Sequence, residues 1–276
     1  MKNLKKTKKI GVFDSGFGGL DILRGIVKEN KEYDYIYLGD TARSPYGTRS
    51  QEIIYKFTVE AINFFFKNNC DLVIIACNTA SAEALRTIQE KYLPKYYPNK
   101  KVLGVVVPAT EEAVLKTRNK RIGVIATSST VRSEKFIREI KKSDPSIKVF
   151  QQACPLLVPI VEEGVKNQEA INLILKDYIN PLIKNKIDTL ILGCTHYGLL
   201  KNKIKKIVGK DVTIISESSV VSKRLKIYLQ KHKEIEQKLK KTGTVIFYST
   251  DLTDKFKKLG SIFFGKKIDV KKITIN

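Results

Sequence analysis

The chain has 276 residues and a mass of 31.3 kDa, about 1.8 times the roughly 150 residues of a common domain, so two modest domains are expected. Its 42% hydrophobic and 29% charged residues exclude a disordered or fibrous class, and no run approaches the about 18 apolar residues of a membrane-spanning helix. The net charge of +23 raises a polyanion partner, but only nine of the 51 basic residues are Arg, the side chain suited to bidentate phosphate contact.

In chain order, the basic opening MKNLKKTKK leads into only Ile10, Gly11, Val12 and Phe13 before Asp14 interrupts, too little for a signal peptide, and a cytosolic location is expected. Short apolar runs predict strands at 9–14, 35–39, 71–77, 101–107, 121–126, 148–152, 188–194, 211–216 and 243–249. Amphipathic stretches separate them, as at 50–69, where Ile53, Ile54, Phe57, Ala61, Ile62 and Phe65 recur at helical spacing. Continuous Val/Ile/Leu strands joined by helices predict an α/β fold with parallel-rich sheets covered on both faces. Lysines gather on the polar faces of 201–210 and 223–241, so the charge reads as solvated surface and a nucleic-acid partner is disfavoured.

Two signatures recur. KIGVFDS at 9–15 returns as RIGVIAT at 121–127, and DLVIIAC at 71–77 returns as DTLILGC at 188–194, at offsets of 112 and 117. The chain therefore reads as two similar α/β domains related by a pseudo-twofold axis, with Cys77 and Cys194 in equivalent places on opposite walls of a cleft. The Pro-containing stretch 94–101 is the first boundary. The first domain is expected to be discontinuous, 1–100 with 213–276, and the second to span 101–212.

Four segments carry chemistry. Asp14-Ser15-Gly16-Phe17-Gly18-Gly19 follows a strand, where glycines let backbone amides approach an anion, though a tight turn capped by Asp14 is the plainer alternative. The polar loop from Gly39 through Asp40, Arg43, Tyr46 and Gly47 to Thr48 is either a connection or a cleft rim. Cys77-Asn78-Thr79 and Cys194-Thr195-His196 place thiols ahead of helix N-termini, where the dipole is expected to lower a thiol pKa. Cys70 and Cys154 lack such a setting and read as structural. Cys77, Cys194 and His196 could make a zinc site, but no carboxylate or second His stands at ligand spacing, and no metal is expected. The absence of lysine from these segments argues against a Schiff base.

In order, VFDSGFGGL, GDTARSPYG, ACNTAS, VVVPA, ACPLLVPIVEEG and LGCTHYGLL resemble the glutamate racemases of the aspartate/glutamate racemase superfamily over most of the chain. The resemblance implies two α/β domains with the site between them, no cofactor, and interconversion of L- and D-glutamate for peptidoglycan synthesis. By position, Cys77 resembles the base that handles the proton of D-glutamate and Cys194 that of L-glutamate. Asp14 is similar to the carboxylate assisting the first thiol, and His196 to the imidazole assisting the second. Ser15, Tyr46, Gly47, Asn78, Thr79 and Thr195 match substrate-binding positions, and Asp40 and Glu162 acidic ones, with Glu163 an alternative to Glu162. Ile215-Ser216-Glu217-Ser218-Ser219 departs from the family's Asp-Ser-small pattern. An aspartate racemase is the nearest alternative, disfavoured by Cys194-Thr195-His196 in place of a motif ending in Glu. A homodimer is compatible with this reading, and the Lys-rich helix is read as an oligomer or surface feature.

Overall fold

The computed structural model describes residues 7–275; residues 1–6 of the basic opening lie outside this range. The described residues form ten strands: β1 Lys9–Asp14, β2 Tyr35–Gly39, β3 Cys70–Ile75, β4 Lys101–Gly104, β5 Arg121–Ala126, β6 Lys148–Ala153, β7 Thr189–Gly193, β8 Thr213–Ile215, β9 Val245–Ser249 and β10 Val270–Lys272. They form two parallel sheets, one ordered β10-β9-β2-β1-β3-β4 and the other β6-β5-β7-β8. β2-β1-β3-β4 and β6-β5-β7-β8 thus have the same order. The register repeats as well: Ile10 pairs with Leu72 and Gly11 with Val73, while Ile122 pairs with Thr189 and Gly123 with Leu190. These are the sequence offsets of 112 and 117, so the recurrent signatures are the same central strand pair folded twice.

The central strands are buried on both faces because helices cover them; β1 is buried from Ile10 to Asp14 and β7 throughout. The helix Gln51–Lys67 starts where the Ser50 hydroxyl accepts the Ile53 N–H, and turns Ile54, Thr58, Ala61, Ile62 and Phe65 inward. Ile53 and Phe57, expected on the same face, are half-buried at its edge, where Phe57 lies under the Arg43 guanidinium. The recurrent Asp ahead of each thiol strand anchors a neighbouring segment. Asp71 pairs with Lys8 and Lys100, and Asp188 accepts the Thr117 hydroxyl and the Arg118 and Asn119 amides.

Three segments differ from the sequence reading. The run 101–107 is strand only to Gly104, since Pro108 sits in the first turn of the helix Val106–Lys116, and that strand pairs with β3 in the larger sheet. The run 211–216 keeps only Thr213–Ile215 as strand, beside β7 in the smaller sheet, whereas β9 joins β2 in the larger. β10 has no counterpart among the predicted strands. One continuous apolar cluster joins Ile10, Leu20 and Tyr37 of the first half to Ile125, Leu190 and Leu192 of the second, and helices Gly19–Glu29 and Glu217–Lys231 pack together across the join. Lysines of the segment 201–210 face solvent while Ile204 and Val208 are buried. Among the described residues, no helix is long and apolar enough to cross a membrane.

Candidate active site

The C-terminal ends of β1, β3, β5 and β7 converge, and open parallel sheets bind ligands at such strand ends. There, a cavity of about 260 Å³ is lined from both halves: Ser15, Cys77, Asn78 and Thr79 on one side, Thr127, Cys194, Thr195 and His196 on the other. Its size suits a small metabolite, below the roughly 300 to 1,000 Å³ of drug-sized pockets. Among the described residues, no Lys or Arg lines it. A larger cavity of about 480 Å³, beside Arg86, Lys135 and Arg224, holds neither thiol of interest.

Cys77 follows β3 and caps the helix Asn78–Glu83. Its Sγ accepts the Ala80 N–H at 3.5 Å and lies 3.4 Å from the Ser15 hydroxyl. Cys194 follows β7; its Sγ receives the His196 backbone N–H and stands 3.9 Å from His196 Nδ1. These amides stabilise thiolates, as expected of helix starts, but burial outweighs them. Burial, with Asp14 adding to it, pushes Cys77 up to about 12 from an ordinary 9.0, and burial raises Cys194 well above the same value. The expected lowering by the helix dipole is therefore reversed. At neutral pH Cys77 rests as a thiol, and each thiol needs a nearby group to receive its proton.

Those groups are at hand. Asp14 is fully buried one layer behind Ser15, outside the cavity lining; its carboxylate accepts the Gly16 N–H at 3.0 Å and the Thr195 hydroxyl at 3.5 Å. Burial raises its pKa above the ordinary carboxylate value, against the pull of His196. His196 sets Nε2 3.0 Å from Glu162 Oε1 and meets the ring edges of Phe17 and Phe263. A carboxylate at Nε2 holds the ring proton there and leaves Nδ1, which faces Cys194, as an acceptor. Glu162 is thus the carboxylate on the imidazole; Glu163 also lines the cavity.

The other predicted residues divide between wall and support. Tyr46 and Gly47 line the cavity, but Asp40 is buried behind Tyr46. It accepts the Tyr46 hydroxyl at 2.5 Å, Arg43 Nε at 2.7 Å and the Thr250 hydroxyl at 2.8 Å. Arg43 is committed to Asp40 and Glu60. Thr79 meets Thr127 and Thr130 in a cluster of hydroxyls at 3.0 to 3.3 Å. Glycine is required at two crossings between the halves: a Cβ on Gly18 would stand 2.3 Å from Thr195 Oγ1, and one on Gly47 would stand 2.9 Å from Thr127 Cβ.

Three residues outside the predicted set stand in or behind the cavity wall. Thr127 was legible, because the repeat aligns it with Ser15 at the offset of 112. Cys154, read as structural, is buried in the cavity wall with Sγ 3.5 Å from the Gln152 carbonyl, and burial raises it to about 12. Glu217, in the segment whose pattern departs from expectation, is buried with Oε2 2.7 Å from Asn78 Nδ2. Cys70 is buried in the first half, away from this cavity. Among the described residues, no cluster of three His, Cys, Asp or Glu side chains is disposed to hold a metal ion.

The family described as Asp/Glu/Hydantoin racemase matches residues 10–220. A glutamate racemase of Sulfurihydrogenibium sp. is 42% identical over 257 residues, covering 93% of this chain and 94% of its own. Among solved structures, glutamate racemase isoform RacE1 of Bacillus anthracis superposes with a TM-score of 0.89 at 35% identity, covering 98% of both chains. A Francisella tularensis glutamate racemase, solved in complex with D-glutamate, gives 0.87 at 34% identity over 98% of both chains. An aspartate racemase of Picrophilus torridus, at 16% identity and a TM-score of 0.54 over 84% of this chain and 99% of its own, shares the fold alone.

Proposed function

The chain belongs to the Asp/Glu/Hydantoin racemase family, and from that premise we propose that it interconverts L- and D-glutamate by proton transfer between two thiols. The observation that carries this reading is the pair Cys77 and Cys194, which end equivalent strands of the two halves and line one cavity. Inverting Cα requires a proton to leave one face and another to arrive on the opposite face. Two acid/base groups, one a thiolate while the other is a thiol, accomplish this, and such groups contribute on the order of 10² to 10⁴ each in rate.

L-Glutamate is deprotonated by the Cys194 thiolate, after its thiol proton has passed to His196 Nδ1, and is reprotonated by the Cys77 thiol. The reverse direction begins at Cys77, with Asp14 as the proton acceptor. Buried surroundings strengthen each such transfer because no water competes for the protons. Hydroxyls and amides supply contacts for the substrate's two carboxylates: Tyr46, Gly47, Thr79 and Thr127 converge at one end of the cavity, and Ser15, Asn78 and Thr195 stand beside the thiols. Backbone and hydroxyl donors can hold carboxylates without an Arg clamp. All of this chemistry is within reach of the chain's own residues, so no cofactor is required. The proposal extends to the family's role, D-glutamate supply for peptidoglycan in the cytoplasm.

Circular dichroism or polarimetry on each enantiomer of glutamate, with aspartate as comparator and no added cofactor, tests the reading. Equilibration of glutamate with exchange of the α-hydrogen in heavy water is expected. An inert protein with its thiols reduced overturns it, and preferential turnover of aspartate replaces the substrate.

A further inference from the structure

Glu217 has a use that neither thiol chemistry nor packing explains. It opens the helix Glu217–Lys231, is 4% exposed, and among the described residues forms no ion pair; its electrostatic neighbours are Asp14 and Asp21. Its side-chain hydrogen bond reaches a residue 139 positions away, where Oε2 accepts Asn78 Nδ2 at 2.7 Å. Asn78 directly follows Cys77, lines the cavity and is 2% exposed; its Oδ1, like Glu217 Oε1, is buried with no partner among the described residues. A side-chain amide offers donors on one atom and an acceptor on the other, so a partner that only accepts at Oε2 decides which way the amide faces. An unpartnered buried acceptor costs about 1 to 3 kcal/mol, which a substrate donor can restore.

We propose that Glu217 is a positioning residue for substrate binding: it holds the Asn78 amide in one orientation, Nδ2 turned to Glu217, so that the amide is set to receive the amino acid beside Cys77. The proposal rests on the racemase reading, in which Asn78 touches substrate. Burial, with Asp14 and Asp21 adding to it, raises the Glu217 pKa well above its ordinary value, and the side-chain carbonyl of glutamine supplies the same acceptor that Oε2 presents to Asn78.

The test is racemisation kinetics on D-glutamate for Glu217→Leu, Glu217→Gln, Asn78→Ala and the Asn78→Ala/Glu217→Leu double variant, each checked by thermal unfolding. Glu217→Leu is expected to raise KM about tenfold with kcat changed less than threefold, and Glu217→Gln to restore KM to within threefold. In the Asn78→Ala background Glu217→Leu is expected to leave KM unchanged, because its effect runs through that amide. An unchanged KM in Glu217→Leu, or an equal KM effect with and without Asn78, overturns the proposal. Should Glu217→Leu fail to fold, a KM unchanged by Asn78→Ala overturns it equally. A wild-type protein inert on glutamate overturns the racemase reading instead, which keeps the two failures apart.

Discussion

Gly18→Ala isolates the contact between the two halves at the site. Gly18 has φ −59° and ψ −35°, an ordinary right-handed conformation, so alanine brings no backbone strain. The added Cβ would stand 2.3 Å from Thr195 Oγ1, 2.7 Å from His196 Nδ1 and 2.8 Å from Thr195 Cβ. Ordinary van der Waals contact begins near 3.5 Å, so the Thr195–His196 segment must recede by about 1 Å. Overpacking of this kind costs about 1 to 3 kcal/mol, a fall in Tm of roughly 2 to 10 °C for a chain of this size. A displacement of about 1 Å at a catalytic group costs on the order of 10² in rate. The expected result is therefore a modest loss of thermal stability and a far larger loss of kcat/KM, measured by circular dichroism on both enantiomers. Gly16→Ala is the control, because its Cβ meets nothing nearer than Ser44 Oγ at 3.5 Å, and it should lose less than about threefold. Wild-type kcat/KM and Tm in Gly18→Ala would refute the argument.

Cys77→Ser and Cys194→Ser should each lose at least about 10² in kcat/KM, equally in both directions because the enantiomers are equal in free energy; near-full activity in either refutes the two-base assignment. Tyr46→Phe removes one of the three partners of the buried Asp40 carboxylate, and should cost about 1 to 3 kcal/mol in urea unfolding, whereas an unchanged midpoint would show that pair to be idle. Burial raises Cys70 to about 12 from 9.0, so the folded chain keeps a proton that the unfolded chain gives up. Its contribution is complete below pH 9 and is lost as the pH rises toward 12, and Cys70→Ala should flatten the fall of the urea midpoint between pH 9 and 10.5. Parallel midpoint curves for the two proteins would refute that.

What could be seen in advance was what lies close in the chain. The apolar runs and their repetition revealed two copies of one strand pair, since a strand and the polar residue that ends it occupy a few consecutive positions. For the same reason Ser15, Cys77 and Cys194 could be picked as strand-end residues. β10 escaped because Val270–Lys272 is three residues amid lysines, with no apolar run to mark it. The direction of the thiol shifts escaped for a different reason: a helix start is local, whereas the burial that overrides it is assembled from both halves. Glu217 acts on a residue 139 positions away, and no pattern within its own segment announces that.

The repeat also explains why the two thiols are served differently. At the offset of 112, Asp14 corresponds to Ala126, and the strand partners of these residues, Gly39 and Ala153, precede Asp40 and Cys154. The first half therefore supplies two buried carboxylates where the second supplies a methyl group and a thiol. Next to Cys194 that absence is met by His196, which takes its own carboxylate from Glu162. The division suits the proposed reaction. L- and D-glutamate differ only in the face of Cα that bears hydrogen, so the proton donors and acceptors must be paired across the cavity, but the groups that relay protons behind them need not be alike. The lysines point to an effect at longer range: among the described residues none lines the cavity, so the chain's net charge of +23 is expected to attract an anionic amino acid toward the site without clamping it there. Added salt should therefore lower kcat/KM mainly through KM, and a kcat/KM unchanged between low and high ionic strength would refute the long-range attraction.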